Sequence, residues 1–294
     1  MFYRRKIILA LIQVLEGHIP KISLQKLLFL FANRQETPDY DFVPYRYGCY
    51  SFSANADLKA MVKHNQLSED TTGFSKVGTI DYIKMLKESD KKVLMSIKNN
   101  YAKLSPAALM KLTYLNYQYY AIKSVKAREI LSDAEYAKIE KAKPINNRSI
   151  LYTIGYEGIS LEEYLNRLIK NDVKVLIDVR KNALSMKFGF SKTQMKLFCT
   201  SLNIEYLHVP EVGIQSDQRQ ELKTQADYDN LFQVYKRLNL NETKSQQEQI
   251  LKLLKENHRI ALTCFEANIC QCHRKHLAEA IMKIAEGNCE LKHI

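Results

Sequence analysis

The second half of the chain predicts an α/β domain with a mostly parallel sheet. The first half predicts a mainly α-helical domain, with a winged-helix-like arrangement as one option. Three observations carry this. Short apolar runs alternate with helix-periodic segments beyond residue 149. Helical spacing dominates before residue 143. Between them, "KAKPINNRS" is polar, contains a proline and marks a change in charge. The expected division is therefore a domain over 1–143, a linker over 144–149 and a domain over 150–294.

Apolar side chains at Ile7, Ile8, Leu11, Ile12 and Leu15 share one helical face. The basic-then-apolar start resembles a secretion signal, but a small-residue cleavage site is missing. It is read as a first helix, and the expected localisation is cytoplasmic. "GHIP" breaks that helix, and Ser23 is placed as the cap of a second, "LQKLLFLFANR". Helix, Gly-containing turn and helix are compatible with a helix-turn-helix. Tyr40, Phe42, Tyr45, Tyr47, Tyr50 and Phe52 follow, either as a stacking face for bases or, preferred here, as core around a tight turn at Gly48. Ser105 before Pro106 starts another helix, and helices continue to about Lys143.

After the linker, "SILYTIG" reads as a buried strand and Ser160 caps the helix "SLEEYLNRLIKN". "VKVLIDV" is a strand, "SKTQMKLFCTSLN" a helix and "IEYLHVP" a third strand. A long polar stretch with further helices leads to a fourth strand, "RIALTC", and a last helix begins at "CHRKH".

Composition sets the limits. The chain has 294 residues, 46% of them apolar and 26% charged, which suits a globular protein with a real core. No run approaches the roughly 18 apolar residues of a membrane span, so no membrane partner is expected. The net charge is +12, and it is uneven. Residues 1–148 hold 24 Lys and Arg against 14 Asp and Glu; residues 149–294 hold 20 against 18. A basic first half points to nucleic acid as partner, or to a protein partner, with a lysine-rich solvated face as the plain alternative. Six cysteines in such a chain suggest thiol chemistry or a metal before disulfides.

Parallel sheets bind ligands outside the carboxyl ends of their strands. Gly155, Tyr156, Glu157 and Gly158 follow the first strand. Asp178 and Arg180 end the second, with Ser185 beyond. His208 ends the third, before Glu211 and Gly213. The fourth delivers Cys264 and Glu266, then Cys270, Cys272, His273 and Arg274. A common rim of these groups is the expected site, although Asp178 and Arg180 could instead form a structural ion pair. Dinucleotide, P-loop and zincin motifs are absent.

In "CFEANICQCHRKH", zinc would use Cys264, Cys270, Cys272 and His273 or His276, but the paired ligand loops of a zinc knuckle are missing. No cofactor is expected, with zinc as a minor alternative. Cys272 at a helix start beside His273 and Arg274 suits a reactive thiol or an anion site; inert burial is the competing reading. In an enzymatic version, Arg180 and Arg274 hold an anion. Asp178, Glu266 or His208 moves protons, and Cys264 or Cys272 is the nucleophile. Gly155, Tyr156, Glu157, Ser185 and His273 complete the ligand-binding set.

"TIGYEG", "LIDVRKNALS", "YLHVPEVG" and "CFEANICQCHR" resemble, in this order, the domain of unknown function 488 family, over roughly 150–285. The resemblance implies a small α/β domain and no settled activity. By position it selects Gly155, Asp178, Arg180, Ser185, His208, Gly213, Cys264, Glu266, Cys272, His273 and Arg274. Ala183 stands where the family has proline, and Val212 where it has leucine. "LQKLLFLFANR" with "FVPYRYGCYS" resembles Panacea-type antitoxin domains, which implies a regulatory or protein-binding module in a toxin–antitoxin or phage-defence setting. The expected function is action on, or recognition of, nucleic acid or a phosphate-bearing ligand, in genome defence or repair. The alternatives are a non-enzymatic regulator and a zinc-stabilised adaptor.

Overall fold

A computed structural model describes every residue except Asn146, Ser216, Asp217, Arg219, Gln220, Glu221, Glu286 and Asn288. Asn146, within the expected linker, thus lies outside the described residues. The chain divides into two compact units, Met1–Lys143 and Pro144–Ile294. No described helix is long and apolar enough to cross a membrane.

In the first unit, α1 (Tyr3–Val14), β1 (His18–Pro20), α2 (Lys21–Ala32) and the hairpin β2 (Val43–Tyr45) and β3 (Gly48–Tyr50) lead to α3 (Phe52–Lys63). β4 (Leu67–Glu69) and β5 (Gly73–Lys76) follow. The antiparallel order β1-β5-β4 is that of a winged helix, with the β2–β3 hairpin inserted before α3. "GHIP" is therefore partly strand rather than a plain interhelical turn. Ser23 does not cap α2; it is buried inside it, and Pro20 holds the cap position. Proline there fixes the entry φ and lacks an N–H that would go unbonded anyway.

Apolar faces of α1 and α2 form the core with Phe42, Leu58 and Ile97. Asp57 on α3 fastens α1 to it. Its carboxylate accepts from Arg4 Nε at 2.6 Å, Arg5 Nε at 2.7 Å and the Tyr40 hydroxyl at 2.8 Å. Phe29 of α2 meets Phe42 edge-on at 5.2 Å, so part of the aromatic run is core. Gly48 takes φ +91° at the hairpin turn, and a Cβ there would lie 2.5 Å from the Tyr114 ring; that turn requires glycine. α4 (Glu88–Tyr101), α5 (Pro106–Asn116), α6 (Gln118–Ala121), α7 (Ala127–Ile130) and α8 (Asp133–Lys141) complete the unit. Ser105 caps α5 through Ala108 N, with Pro106 at the first helical position.

The second unit is a five-stranded, all-parallel sheet. β6 (Ile150–Gly155), α9 (Leu161–Lys170), β7 (Val175–Asp178), α10 (Lys192–Ser201) and β8 (Glu205–His208) come first. α11 (Gln225–Arg237), α12 (Asn239–Glu242) and α13 (Lys244–Asn257) precede β9 (Arg259–Cys264), α14 (His273–Ile284) and β10 (Glu290–His293). The strand order is β10-β6-β9-β7-β8. β6, β7 and β9 are buried at every residue, as strands covered on both faces must be.

Alternation decides which face each residue serves. Ile260, Leu262 and Cys264 of β9 pack with Leu254 of α13 and with Leu277 and Ile281 of α14. Thr263, pointing the other way, accepts a 2.8 Å hydrogen bond from Tyr164 of α9, so α9 covers the opposite face. Ser160 caps α9 through Glu163 N.

Candidate functional site

Four strands end on one rim. Gly155 pairs with Cys264 across β6 and β9, and Asp178 pairs with both Thr263 and His208. Parallel register therefore carries the loops after β6, β7, β8 and β9 to the same edge, as the sequence pattern requires.

Asp178 is fully buried in the sheet. Its Oδ1 accepts from Arg180 Nε at 2.8 Å and from the Arg180 backbone at 3.1 Å; its Oδ2 accepts from Arg180 Nη2 at 2.5 Å. The Tyr206 hydroxyl donates to Oδ2 at 2.7 Å. Arg180 spends its other donors on Tyr156 Oη at 2.6 Å and Phe190 O at 3.0 Å. Burial opposes the Arg180 charge, but the hydrogen bonds and charge of Asp178 outweigh it, and the net pKa rises. Burial, then the Asp178 carboxylate, pushes the Tyr206 hydroxyl up. This is the fork-to-fork pairing of a guanidinium and a carboxylate. The two thus form a closed ion pair: Asp178 is fully buried, and Arg180 is a neutralised cation, 6% exposed, with one edge at the cavity.

Two loops are laced together beside it. Tyr156 N and Glu157 N both donate to Phe265 O, at 3.1 and 2.9 Å, and Ala267 N donates to Glu157 Oε2 at 2.9 Å. The β6 and β9 backbones approach so closely at Gly155 that a Cβ there would fall 2.0 Å from Glu266 O. Glycine is the one residue that fits this contact.

Between these loops and the segment after β7 lies a cavity of about 310 Å³. The described residues lining it are Tyr156, Arg180, Lys181, Asn182, Leu184, Ser185, Ile214, Cys264, Phe265 and His273. His273 Nε2 donates to Val179 O at 3.0 Å. That bond fixes the tautomer and leaves the Nδ1 lone pair facing Cys264 Sγ at 3.9 Å. Tyr156 stacks on Phe190 at 4.3 Å and bonds Ser185, which holds the inner wall rigid. Leu184 is 76% exposed and Phe265 45%, so apolar side chains edge the mouth.

Five of the expected residues therefore share the cavity wall: Tyr156, Arg180, Ser185, Cys264 and His273. The others do not line it. His208 Nε2 donates to Arg180 O at 2.9 Å and props the loop from behind. Arg274 is 2% exposed and donates to Glu266 O at 2.6 Å and Ala267 O at 3.4 Å. It pins the loop after β9 and is sealed from any external anion, which corrects its expected role. Glu266 contributes its carbonyl to those contacts, and Glu157 is a loop strut. Cys272 is fully buried, and burial together with the hydrogen bond to Cys264 raises its thiol well above the ordinary value. A helix-start thiolate at Cys272 is thus corrected: desolvation beats the helix dipole.

Sequence reasoning missed Lys181, Asn182, Leu184, Ile214 and Phe265 as wall residues. All five follow strand ends, so the same rim rule would have selected them had it not been restricted to reactive residue types.

The thiols of Cys264 and Cys272 and an imidazole nitrogen of His273 lie within 4.8 Å of one another, all buried. These three could hold a soft metal ion, with the His273–Val179 bond as outer support. Cys270 is exposed and stands outside the group, which corrects the zinc set expected for this stretch.

The fold and its rim define a parallel α/β domain with a cleft at the strand carboxyl ends. Residues 160–281, within this C-terminal domain, match the family model described as Domain of unknown function DUF488. No curated protein matches the chain.

Proposed function

We propose that the C-terminal domain recognises a phosphate-bearing ligand, a nucleotide or a nucleic-acid end, in the strand-end cavity. The observation that carries this is the lining: two cations, Arg180 and Lys181, with the polar groups of Asn182, Ser185 and Tyr156, and no acidic side chain among the described wall residues. Since Asp178 neutralises Arg180, Lys181 supplies the net charge. Leu184 and Phe265 offer apolar surface for a planar base at the mouth. Cys264 Sγ and the His273 Nδ1 lone pair lie 3.9 Å apart on the wall but are only 2% and 1% exposed, so the reading rests on recognition rather than on thiol chemistry. The basic N-terminal unit, with its winged-helix strand order, is the proposed contact to nucleic acid or a protein partner in a defence setting. Lys59 and Lys63 are exposed on α3.

Calorimetry on the full chain tests this with a nucleoside monophosphate and the matching nucleoside. The nucleotide is expected to bind at least about tenfold more tightly, a difference of about 1.4 kcal/mol, and Lys181→Ala to remove most of that gap. Equal binding of the two overturns the reading. Titration with a generic DNA duplex tests the N-terminal unit. Affinity should fall with salt, and the slope should shrink by about 0.9 for each of Lys59 and Lys63 that contacts phosphate and is replaced by alanine. No binding at low salt removes nucleic acid as that unit's partner.

A second reading rests on the three buried soft ligands, Cys264, Cys272 and His273: a metal-stabilised loop. It expects about one zinc per purified chain, lost in Cys272→Ser. Metal analysis showing far less than one equivalent excludes it.

A further inference from the structure

The N-terminal unit holds a separate cavity of about 550 Å³, independent of the site above. Its wall comes from the start of α2, the β2–β3 hairpin and the turn between β4 and β5. Tyr45, Tyr47 and Tyr50 give it aromatic surface, while Lys21, Lys26 and Arg46 give it charge. No described lining residue is acidic.

Lys26 is the unusual member. It is 1% exposed. Its Nζ donates to Cys49 O at 3.0 Å and lies 3.5 Å from Cys49 Sγ. An ammonium carries three donors, and these two neutral partners do not offset the cost of burying a full charge. Among the described residues no carboxylate pairs with it; the group acting on it electrostatically is Cys49, and burial pulls its pKa down. Lys21 is different, since it is already bound to Glu69 at 2.6 Å. The frame around Lys26 is stiff: Gln25 bonds both the N–H and the carbonyl of Ser51, at 2.9 and 3.4 Å. The protein thus keeps a desolvated amine, with no carboxylate partner among the described residues, on the wall of an aromatic cavity.

We propose that this cavity binds an organic carboxylate with a planar apolar body, and that the Lys26 ammonium is its counter-ion. Tyrosine rings take the planar part, and Arg46 at the hairpin turn adds to the attraction. A free small acid and the carboxyl end of a peptide finishing in an aromatic residue share this chemistry.

Calorimetry on the full chain decides, using phenylacetate, phenylacetamide, and the tripeptide Gly-Gly-Phe with a free or an amidated end. Phenylacetate should bind at least about tenfold more tightly than its amide. Lys26→Met should fold, since it replaces a buried charge with an apolar chain of similar length, and should lose at least about tenfold in phenylacetate affinity. Lys252→Ala, an exposed lysine of α13 that lines neither cavity, should bind phenylacetate as the wild type does. A tripeptide that outbinds phenylacetate identifies a peptide end as the source; the reverse identifies a free acid; both support the site. Equal binding of acid and amide, or no saturable binding up to about 10 mM, a free energy weaker than about −3 kcal/mol, overturns it. Should Lys26→Met not fold, the acid-against-amide comparison on the wild type still decides.

Discussion

Asp178→Ala is expected to destabilise the C-terminal domain by about 3–5 kcal/mol, the cost of stranding one partner of a buried ion pair. The change removes the acceptor of three Arg180 donors and of the Tyr206 hydroxyl at once. Arg180 is 6% exposed and cannot turn to water without opening the segment that ends at Phe190, whose carbonyl it also holds. Replacing both partners with apolar residues of similar size, as in Asp178→Leu with Arg180→Met, should recover a substantial part of the loss. Urea unfolding monitored on the C-terminal transition measures both. A stable Asp178→Ala protein that has lost ligand binding would instead return Asp178 to a role in the chemistry.

Gly155→Ala is the second large effect, at about 3 kcal/mol or more, the upper end of what overpacking costs. The added methyl would sit 2.0 Å from Glu266 O, a backbone atom held by Arg274 and unable to swing aside. Relief requires parting the loops after β6 and β9, with loss of the two amide bonds to Phe265 O. Stability and binding in the strand-end cavity should therefore fall together. Ser160→Ala nearby, which removes the α9 cap, should cost only about 1 kcal/mol and spare the cavity. An alanine at 155 tolerated within that smaller range would show that the two backbones separate easily.

Much of the fold was legible because the central strands are unbroken apolar runs, and β6, β7 and β9 are buried from end to end. β10 was not. "ELKH" alternates with charge and pairs on one side only, so nothing in its composition separates it from a loop. The strands of the N-terminal sheet, three or four residues each, are too short for an alternating pattern to stand out, and Ser23 misled because a capping residue type can equally be buried inside a helix. Within the site, register told which residues reach the rim. It could not tell which face inward: Asp178 and Arg180 close on each other, and Arg274 turns back to bind Glu266 O. That choice depends on partners distant in sequence, such as Tyr206 and Phe190.

The order β10-β6-β9-β7-β8 has a consequence during synthesis. β6 and β7 emerge from the ribosome early, yet they never touch side by side, because β9 must slide between them. Until Arg259–Cys264 has left the exit tunnel, both carry bare hydrogen-bonding edges and uncovered apolar faces. Such long-range closure is slow and leaves the nascent chain open to aggregation. A chain stalled ahead of β9 should bind holdase chaperones through its second half while the first, whose elements have all left the tunnel by then, is already protease-resistant.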